Sequence, residues 1–499
     1  MTEASPQVPK ATPPTTESGG GFNTSIGWTA TIVLSFVGML LVQEYVALSY
    51  TTVSIALPSI TAQFASAQGG WLLTGFILTG AVMSPLLGRM ADIYGKRRIL
   101  LLVLGVAGFG AIMAALAPTM GVLIAGRCVE GLSVAGMFLS YSLMRDIFPR
   151  RILPLAVSLS VTGTGIFGVF LPLLVGVLLE KVGFRGLFWV DVAIIAVLFV
   201  LIRATTPETP LRKPATLDVL GGLLLGGGIA LVLVGISQGQ AWGWTSVGVI
   251  AFVVAGLLVL AAFVAWVRRH RDPVVDLRMF ARRPILMAAV LAALAYASNT
   301  LASAALPLIS MTPPGNGYGL GLSPTTYAAV ATPFFLSITI GGFFVGRYVA
   351  RSGGRRWMII GGTSFTVSGI ALVFFHNTIP QMLVVAVLAG IGAGTSMAAI
   401  PNLVVGYAPA EEQGSIAGNV QIAMSSFASI APVAMFAILA GSATMTARGP
   451  VYAERGYQDV ALLMAALSAL SLLLLFTVFS TSKLRRSVRS ATAQTDRSA

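Results

Sequence analysis

Charge is what this 499-residue sequence has least of: 10% of its residues are Asp, Glu, Lys or Arg, against about a quarter in soluble domains. With 56% of residues hydrophobic, the chain cannot clothe its surface in charge, so it is read as a membrane protein. A single cysteine, Cys128, excludes an intramolecular disulfide and a cysteine metal site. The two histidines, His270 and His376, fall in loops assigned to opposite sides of the bilayer, so no nucleophile and base converge. The chain is therefore expected not to be an enzyme and to use no metal or cofactor. Acids are scarcer than bases, 17 against 31, for a net charge of +14. The cations are scattered among short loops rather than massed on one domain, so no nucleic-acid partner is expected. Residues 1–10 lack a charged start followed at once by an apolar core, which argues against a cleaved signal peptide. Neither polar tail is long enough to fold a sensor domain.

Long apolar runs are abundant. Fourteen spans of about 21 residues would use roughly 290 residues, close to the apolar total, whereas twelve would leave apolar sequence unexplained. The spans expected are 28–58, ending near Pro58, then 71–88, 99–117, 121–143, 154–179, 186–203, 217–237 and 245–267. The last six are 285–310, 325–346, 357–375, 381–407, 416–440 and 459–480. Residues 1–27 read as a disordered cytoplasmic tail rich in Pro, Thr, Ser and Gly. Residues 28–205 read as an N-terminal six-helix bundle, 206–284 as a linker with an inserted two-helix hairpin, 285–480 as a C-terminal six-helix bundle, and 481–499 as a basic cytoplasmic tail. From a cytoplasmic N-terminus, only Lys181, Arg185, Arg448 and Arg455 of the 31 Lys and Arg fall in outer loops, and Arg127 lies within a span. That asymmetry orients the chain with both termini inside. Arg greatly outnumbers Lys, which hints at a GC-rich bacterial genome and hence a plasma (inner) membrane.

Thirteen residues, Gly88 to Leu100 (GRMADIYGKRRIL), crowd four cations and one acid between two of these spans. Their spacing resembles the signature loop between helices 2 and 3 of the major facilitator superfamily, with Gly88, Asp92, Gly95, Lys96 and Arg97 in the matching places. GRYVARSGGRRWM, Gly346 to Met358, repeats the pattern with Ala350 where Asp92 stands. The resemblance implies an all-α membrane fold of two six-helix bundles that rock around a central site. It also implies a conformational latch, with Asp92 meeting the positive N-terminal end of the helix at 416–440. The hairpin is read either as a lipid-facing linker or as part of the transport path. Gly105 and Gly108 are examples of glycines expected to let helices approach.

Ionisable side chains inside a span are costly and are usually paired or functional. The candidates are Glu44, Arg127 and Glu130, with Asp191 and Asp218 nearer span ends. Arg127-Cys-Val-Glu130-Gly131 resembles the superfamily's second signature, in which Glu130 stands where Gln is usual. Arg127 and Glu130 share a helical face, so they either neutralise each other or couple to proton movement, as the resemblance implies. Leu48-Ser-Tyr-Thr-Thr-Val-Ser-Ile-Ala-Leu-Pro58 resembles the helix-1 ending of fourteen-helix drug/proton antiporters, with Ser49 in place of an Asp associated with cationic drugs. Of the antiporter signature in the fifth span, Pro172 and Gly176 are kept while Phe167, Leu171 and Val175 replace glycines. Phe184 to Ala193 resembles the entry to helix 6, with Asp191 where the family has Asn.

The resemblance therefore implies a proton-coupled exporter of hydrophobic small molecules, of the drug-efflux type, with an importer or a lipid or metabolite translocator as the alternative. Its partners would be a small hydrophobic substrate, protons and the lipid bilayer. Glu44 is singled out as the proton carrier by elimination, since no polar group lies one turn away on its own helix; a hydrogen bond from a neighbouring helix is the competing reading. Tyr45, Thr51, Asn299 and Gln421 are candidate walls of a substrate cavity.

Overall fold

The structure is a computed structural model and describes residues 29–66, 68–149, 152–209, 218–270, 273, 275, 277–280, 282–314, 318–407, 413–446 and 449–479. In chain order the elements are α1 (Ala30–Gln63), α2 (Gly70–Tyr94), α3 (Lys96–Ala115), α4 (Met120–Glu130), α5 (Val134–Ile147), α6 (Leu153–Thr205), α7 (Val219–Trp242) and α8 (Val247–Arg269). They continue with α9 (Leu277–Phe280), α10 (Arg283–Met311), α11 (Pro324–Ser352), α12 (Gly354–Phe374), α13 (Ile379–Tyr407) and α14 (Gln413–Ala440). A hairpin of β1 (Ala443–Thr446) and β2 (Gly449–Tyr452) precedes α15 (Glu454–Phe479).

Among the described residues, 11 helices are long and apolar enough to cross a membrane, or up to 12 when the bent α2 counts as one span. Fourteen were expected. Two of the differences lie at α6, a 53-residue element with a non-helical break at Gly183 (φ 67°), and at α14, whose apolar described part is Phe427–Ala440. Other boundaries moved for local reasons. α1 continues through Pro58 to Gln63, because a membrane helix can carry a proline when neighbours satisfy the freed backbone. α2 bends by 45° between Ser84 and Leu86, at Pro85. The span expected at 121–143 is interrupted by a 3₁₀ turn, Gly131–Ser133. A Cβ on Gly131 would lie 2.3 Å from the Phe76 carbonyl oxygen, so glycine is what lets α4 touch the α2 backbone. The β1–β2 hairpin had no counterpart in the sequence reading.

The internal repeat is visible in the backbone. Gly95 ends α2 with φ 110° and Gly353 ends α11 with φ 76°. Both are values that side chains with a Cβ rarely adopt, and each is followed at once by the next helix. Helix association in a bilayer has no hydrophobic drive and depends on close packing. The close approach of α3 to α4 is made at Gly110 and Gly126, not at Gly105, which nothing approaches within 4 Å.

Three of the five apolar cores describe how the halves meet, and a small fourth adds Leu78 and Val82 of α2 against Val433 of α14. One contains Val53, Leu72, Leu123, Val175 and Phe188 from the first half together with Leu301, Tyr327, Phe365, Met382, Met435 and Val460 from the second. A second, around Met39, Leu100, Leu143 and Ile202, is confined to α1, α2, α3, α5 and α6. A third, around Leu291, Val345, Met358, Ile400 and Leu475, is confined to α9–α15. Among the described residues the halves thus share a core at the end opposite the Gly88–Leu100 loop and have separate cores at the loop end. Gly176 makes the shared end tight, since a Cβ there would lie 2.5 Å from the Pro324 carbonyl oxygen. Glu180 accepts the Thr325 N–H at the start of α11 (2.9 Å), Thr74 donates to the Ser429 carbonyl (2.8 Å) and Ser54 to the Ser303 carbonyl (2.7 Å). α7 packs on both α2 and α14, so the inserted hairpin lies along the seam between halves. A cavity of about 470 Å³ opens there, with Phe64, Trp71, Gln238, Gln240 and Phe436 among its walls.

Candidate functional site

Arg127 is fully buried, and its helix brings it against α1 and α2. One guanidinium nitrogen, Nη1, donates to Glu130 Oε2 (2.8 Å) and to Ser49 Oγ on α1 (2.7 Å). Nε donates to the Leu72 carbonyl on α2 (3.3 Å), and Cζ sits 4.3 Å from the centre of the Phe76 ring, a cation–π contact out of water. Glu130 Oε1 accepts from the Tyr45 hydroxyl (2.6 Å) and the Ser49 hydroxyl (2.6 Å). Ser49 thus accepts from the cation and donates to the carboxylate, tying α1 to α4. Breaking such a buried pair by removing one member costs about 3–5 kcal/mol, because the other charge is stranded.

Asp191 completes the cluster from α6. It is buried, within electrostatic range of Glu130, Arg127 and Tyr45, and its Oδ2 has no hydrogen-bond partner among the described residues. Sequence reasoning placed Asp191 near a span end and left it out of the site. The signal was an acid where the family pattern has Asn.

The other sequence-derived residues fall in four places. Glu44 is buried on α1 within electrostatic range of Tyr141 of α5. A polar group from a neighbouring helix therefore does stand beside it. Tyr45, expected on a substrate wall, is instead buried with its hydroxyl committed to Glu130. Thr51 lines a cavity of about 20 Å³ between the halves, with Ser54, Ser303 and Phe334, room for about one water. Asn299 has a buried Oδ1 with no hydrogen-bond partner among the described residues, and the Gln421 side chain lies outside the described residues.

The loop residues form a second constellation. Lys96 is buried and bridges to Asp146, and Asp92 lies 3.7 Å from Lys96 with its side chain 44% exposed. Glu208, in the segment after α6, caps α3 by accepting the N–H groups of Arg97 (2.9 Å) and Arg98 (3.1 Å). Arg97 also donates to the Thr206 carbonyl (2.8 Å). Gly95 leaves the room this needs, as its Cβ would fall 2.8 Å from the Glu208 carboxyl carbon. Nothing lies within 4 Å of where a Cβ on Gly88 would be. The sequence reading did not assign Glu208 or Asp146 to this site.

The profile of the Major Facilitator Superfamily matches residues 39–219 and 288–498. The chain belongs to this superfamily. It is a multi-pass membrane protein of a transporter superfamily. It is similar to the efflux pump dotC of Dothistroma septosporum, 27% identical over 384 residues, which are 74% of this chain and 64% of that one. It is 26% identical to the multidrug resistance protein Stp of Mycobacterium tuberculosis (strain CDC 1551 / Oshkosh) over 82% of this chain and 75% of Stp. The tetracenomycin C resistance and export protein of Streptomyces glaucescens is 27% identical over 76% of this chain and 70% of its own. Among solved structures, the POT family transporter PepTSo has a TM-score of 0.65 at 15% identity, covering 93% of this chain and 99% of that one. A bacterial homologue of the human lysosomal transporter Spinster, inward-facing and unoccupied, has a TM-score of 0.62 at 14% identity, covering 90% and 97%. At these identities the structures speak for the fold alone.

Proposed function

We propose that this chain is a proton-coupled secondary exporter of hydrophobic small molecules, working by alternating access. The observation that carries this reading is the Arg127–Glu130 pair, clasped to α1 through Tyr45 and Ser49 at the depth where the shared core gives way to the separate ones. An ion pair in that position is a switch, because protonating its carboxyl removes a charge and loosens the hold of α4 on α1. The relatives named as efflux pumps and multidrug resistance proteins support export as its direction. Glu44, one residue before Tyr45 and so nearer the loop end on α1, is assigned the exchange of protons with that side.

Fourteen spans fit this reading when α6 counts as two across Gly183, α4 and α5 as one, and α2 and α14 as one each. The cation asymmetry then puts the Gly88–Leu100 loop and both termini in the cytoplasm of a plasma (inner) membrane. The shared core accordingly faces outward, and the structure corresponds to an inward-facing state. Gly88, Asp92, Gly95, Lys96 and Arg97 are the latch of the opposite state, released here, which accounts for the exposed Asp92 and the open Gly88. Residues 28–205 and 285–480 are the two rocking units, and 206–284 is the insert. With Ser49 in place of the family's acid, that position offers no carboxylate to a cationic drug, so the proposed substrates are neutral or weakly charged. Thr51, Asn299 and Gln421 are assigned to the cavity wall.

Expression in a pump-deficient bacterial host tests this. Tolerance to hydrophobic compounds such as tetracenomycin C should rise with the intact chain and not with Arg127→Ala at equal expression. Equal tolerance with both chains, or no change across the panel, would contradict it.

A further inference from the structure

The cavity of about 470 Å³ beside α7 shares no residue with the Arg127 cluster. Its size is that of a site for a small organic molecule, roughly 300–1,000 Å³. One side of it is aromatic and firmly held. The Phe436 ring of α14 sits 6.2 Å from the Tyr452 ring of β2, and a Cβ on Gly70 of α2 would lie 2.9 Å from it. Phe64 meets Phe184 edge to face at 5.9 Å, and Trp71 completes the aromatic lining.

The other walls are polar without being charged. Gln68, from the turn between α1 and α2, and Gln238 and Gln240 of α7 line the cavity, and their amides find no hydrogen-bond partner among the described residues. Gln240 reaches the backbone at the end of α14, since a Cβ on Gly441 would lie 2.8 Å from its Nε2. No Asp, Glu, Lys or Arg stands among the lining residues. Trp242 and Trp244, about half exposed at the end of α7, mark this depth as the membrane–water boundary, where indoles concentrate. Free amides beside aromatic rings at that depth fit a molecule with an apolar body and a hydroxyl-bearing head. An ionic head would lose water there and meet no counter-charge.

The walls also come from both halves and the insert. Next to the cavity, Leu233 of α7 packs in one cluster with Leu78 and Val82 of α2 and Val433 of α14. A ligand that touches α2 and α14 at once has its full contacts only while they stand together, so its binding favours that arrangement.

We propose that this cavity binds an uncharged amphiphile from the leaflet remote from the Gly88–Leu100 loop, and that occupancy holds α2, α14 and α7 together so that this face stays closed. The inference is independent of what the chain exports and of proton coupling.

Photolabelling of the full-length chain in phosphatidylcholine nanodiscs tests it, with a monoacylglycerol carrying a diazirine on its acyl chain as the probe. Adducts should map to Trp71 or to the stretch from Val433 to Ala440, and excess unlabelled monoacylglycerol should remove them. A fatty-acid methyl ester, which lacks the hydroxyls, and lysophosphatidylglycerol, which carries a charge, should each compete about tenfold less well. Gln238→Leu combined with Gln240→Leu should erase the preference for monoacylglycerol over the methyl ester, and Phe436→Ala should weaken labelling itself. Should Phe436→Ala fail to fold, the two Gln substitutions decide. Saturating monoacylglycerol should also slow maleimide labelling of a Ser303→Cys reporter in a Cys128→Ser background. Adducts scattered over lipid-facing helices, or equal competition by all three amphiphiles in the parent, overturn the site. Unchanged labelling of the reporter at saturation overturns the closure.

Discussion

Ser49 and Glu130 together show how a buried cation is matched residue by residue. The family's helix-1 acid is replaced by a hydroxyl, and the carboxyl at Arg127 is supplied from its own helix at Glu130. Arg127 uses two of its nitrogens on three acceptors, a fork that an ammonium cannot reproduce. Arg127→Lys should therefore lose at least one charge-assisted bond, each about 1.5–3 kcal/mol. Gradient-driven transport should fall roughly tenfold or more at unchanged expression, and parental rates in that variant would reduce Arg127 to a packing cation. Glu44→Gln should abolish pH-driven transport and spare counterflow exchange, as measured in proteoliposomes at matched pH. The Arg127–Glu130 pair was legible in the sequence because residues three apart on a helix must be neighbours. Asp191 was not, since it joins the pair only through the packing of α6, some sixty residues on, and no local pattern encodes that contact. Tyr45 was picked out, but for the wrong partner, because which way a helix turns a tyrosine depends on what lies opposite.

Elements show the same division. The apolar runs and the repeated signature turn could be read, being set by hydropathy and by glycine spacing, whereas the positive φ of Gly95 and Gly353 came only with the structure. The 3₁₀ turn at Gly131–Ser133, the passage of α1 through Pro58 and the β1–β2 hairpin could not, since each is decided by a neighbouring backbone. The cap that Glu208 places on α3 is another such case. Glu208→Gln should keep hydrogen-bonding oxygen but lose the carboxylate at a helix N-terminus, worth about 0.3–1 kcal/mol; a small drop in thermal stability with transport retained is the expected outcome. Gly176→Val tests the tight end of the structure. Its added bulk meets the Pro324 carbonyl oxygen, and overpacking of this kind costs about 1–3 kcal/mol. The halves should part there, raising the labelling of a Ser303→Cys reporter in a Cys128→Ser background by an impermeant maleimide from outside. Unchanged labelling would mean that the α6–α11 contact does not close that face.

Across the described residues, a large shared core, a smaller one joining Leu78 and Val82 to Val433, and two separate cores describe a hinge closed at one end. Asp92, half exposed and bridged only loosely to Lys96, contributes about 0–1 kcal/mol to this state as a surface pair. Asp92→Asn should leave folding and the inward-facing state intact but weaken the opposite state and slow the cycle, seen as reduced outside labelling of the same Ser303→Cys reporter during turnover. Export coupled to protons is the central claim, and everted membrane vesicles test it most directly. With the chain as the sole pump, an acid-inside pH gradient should drive a hydrophobic fluorescent substrate into the vesicles, and collapsing the gradient should release it. Substrate driven outward by the same gradient, or accumulation that ignores it, would contradict the account.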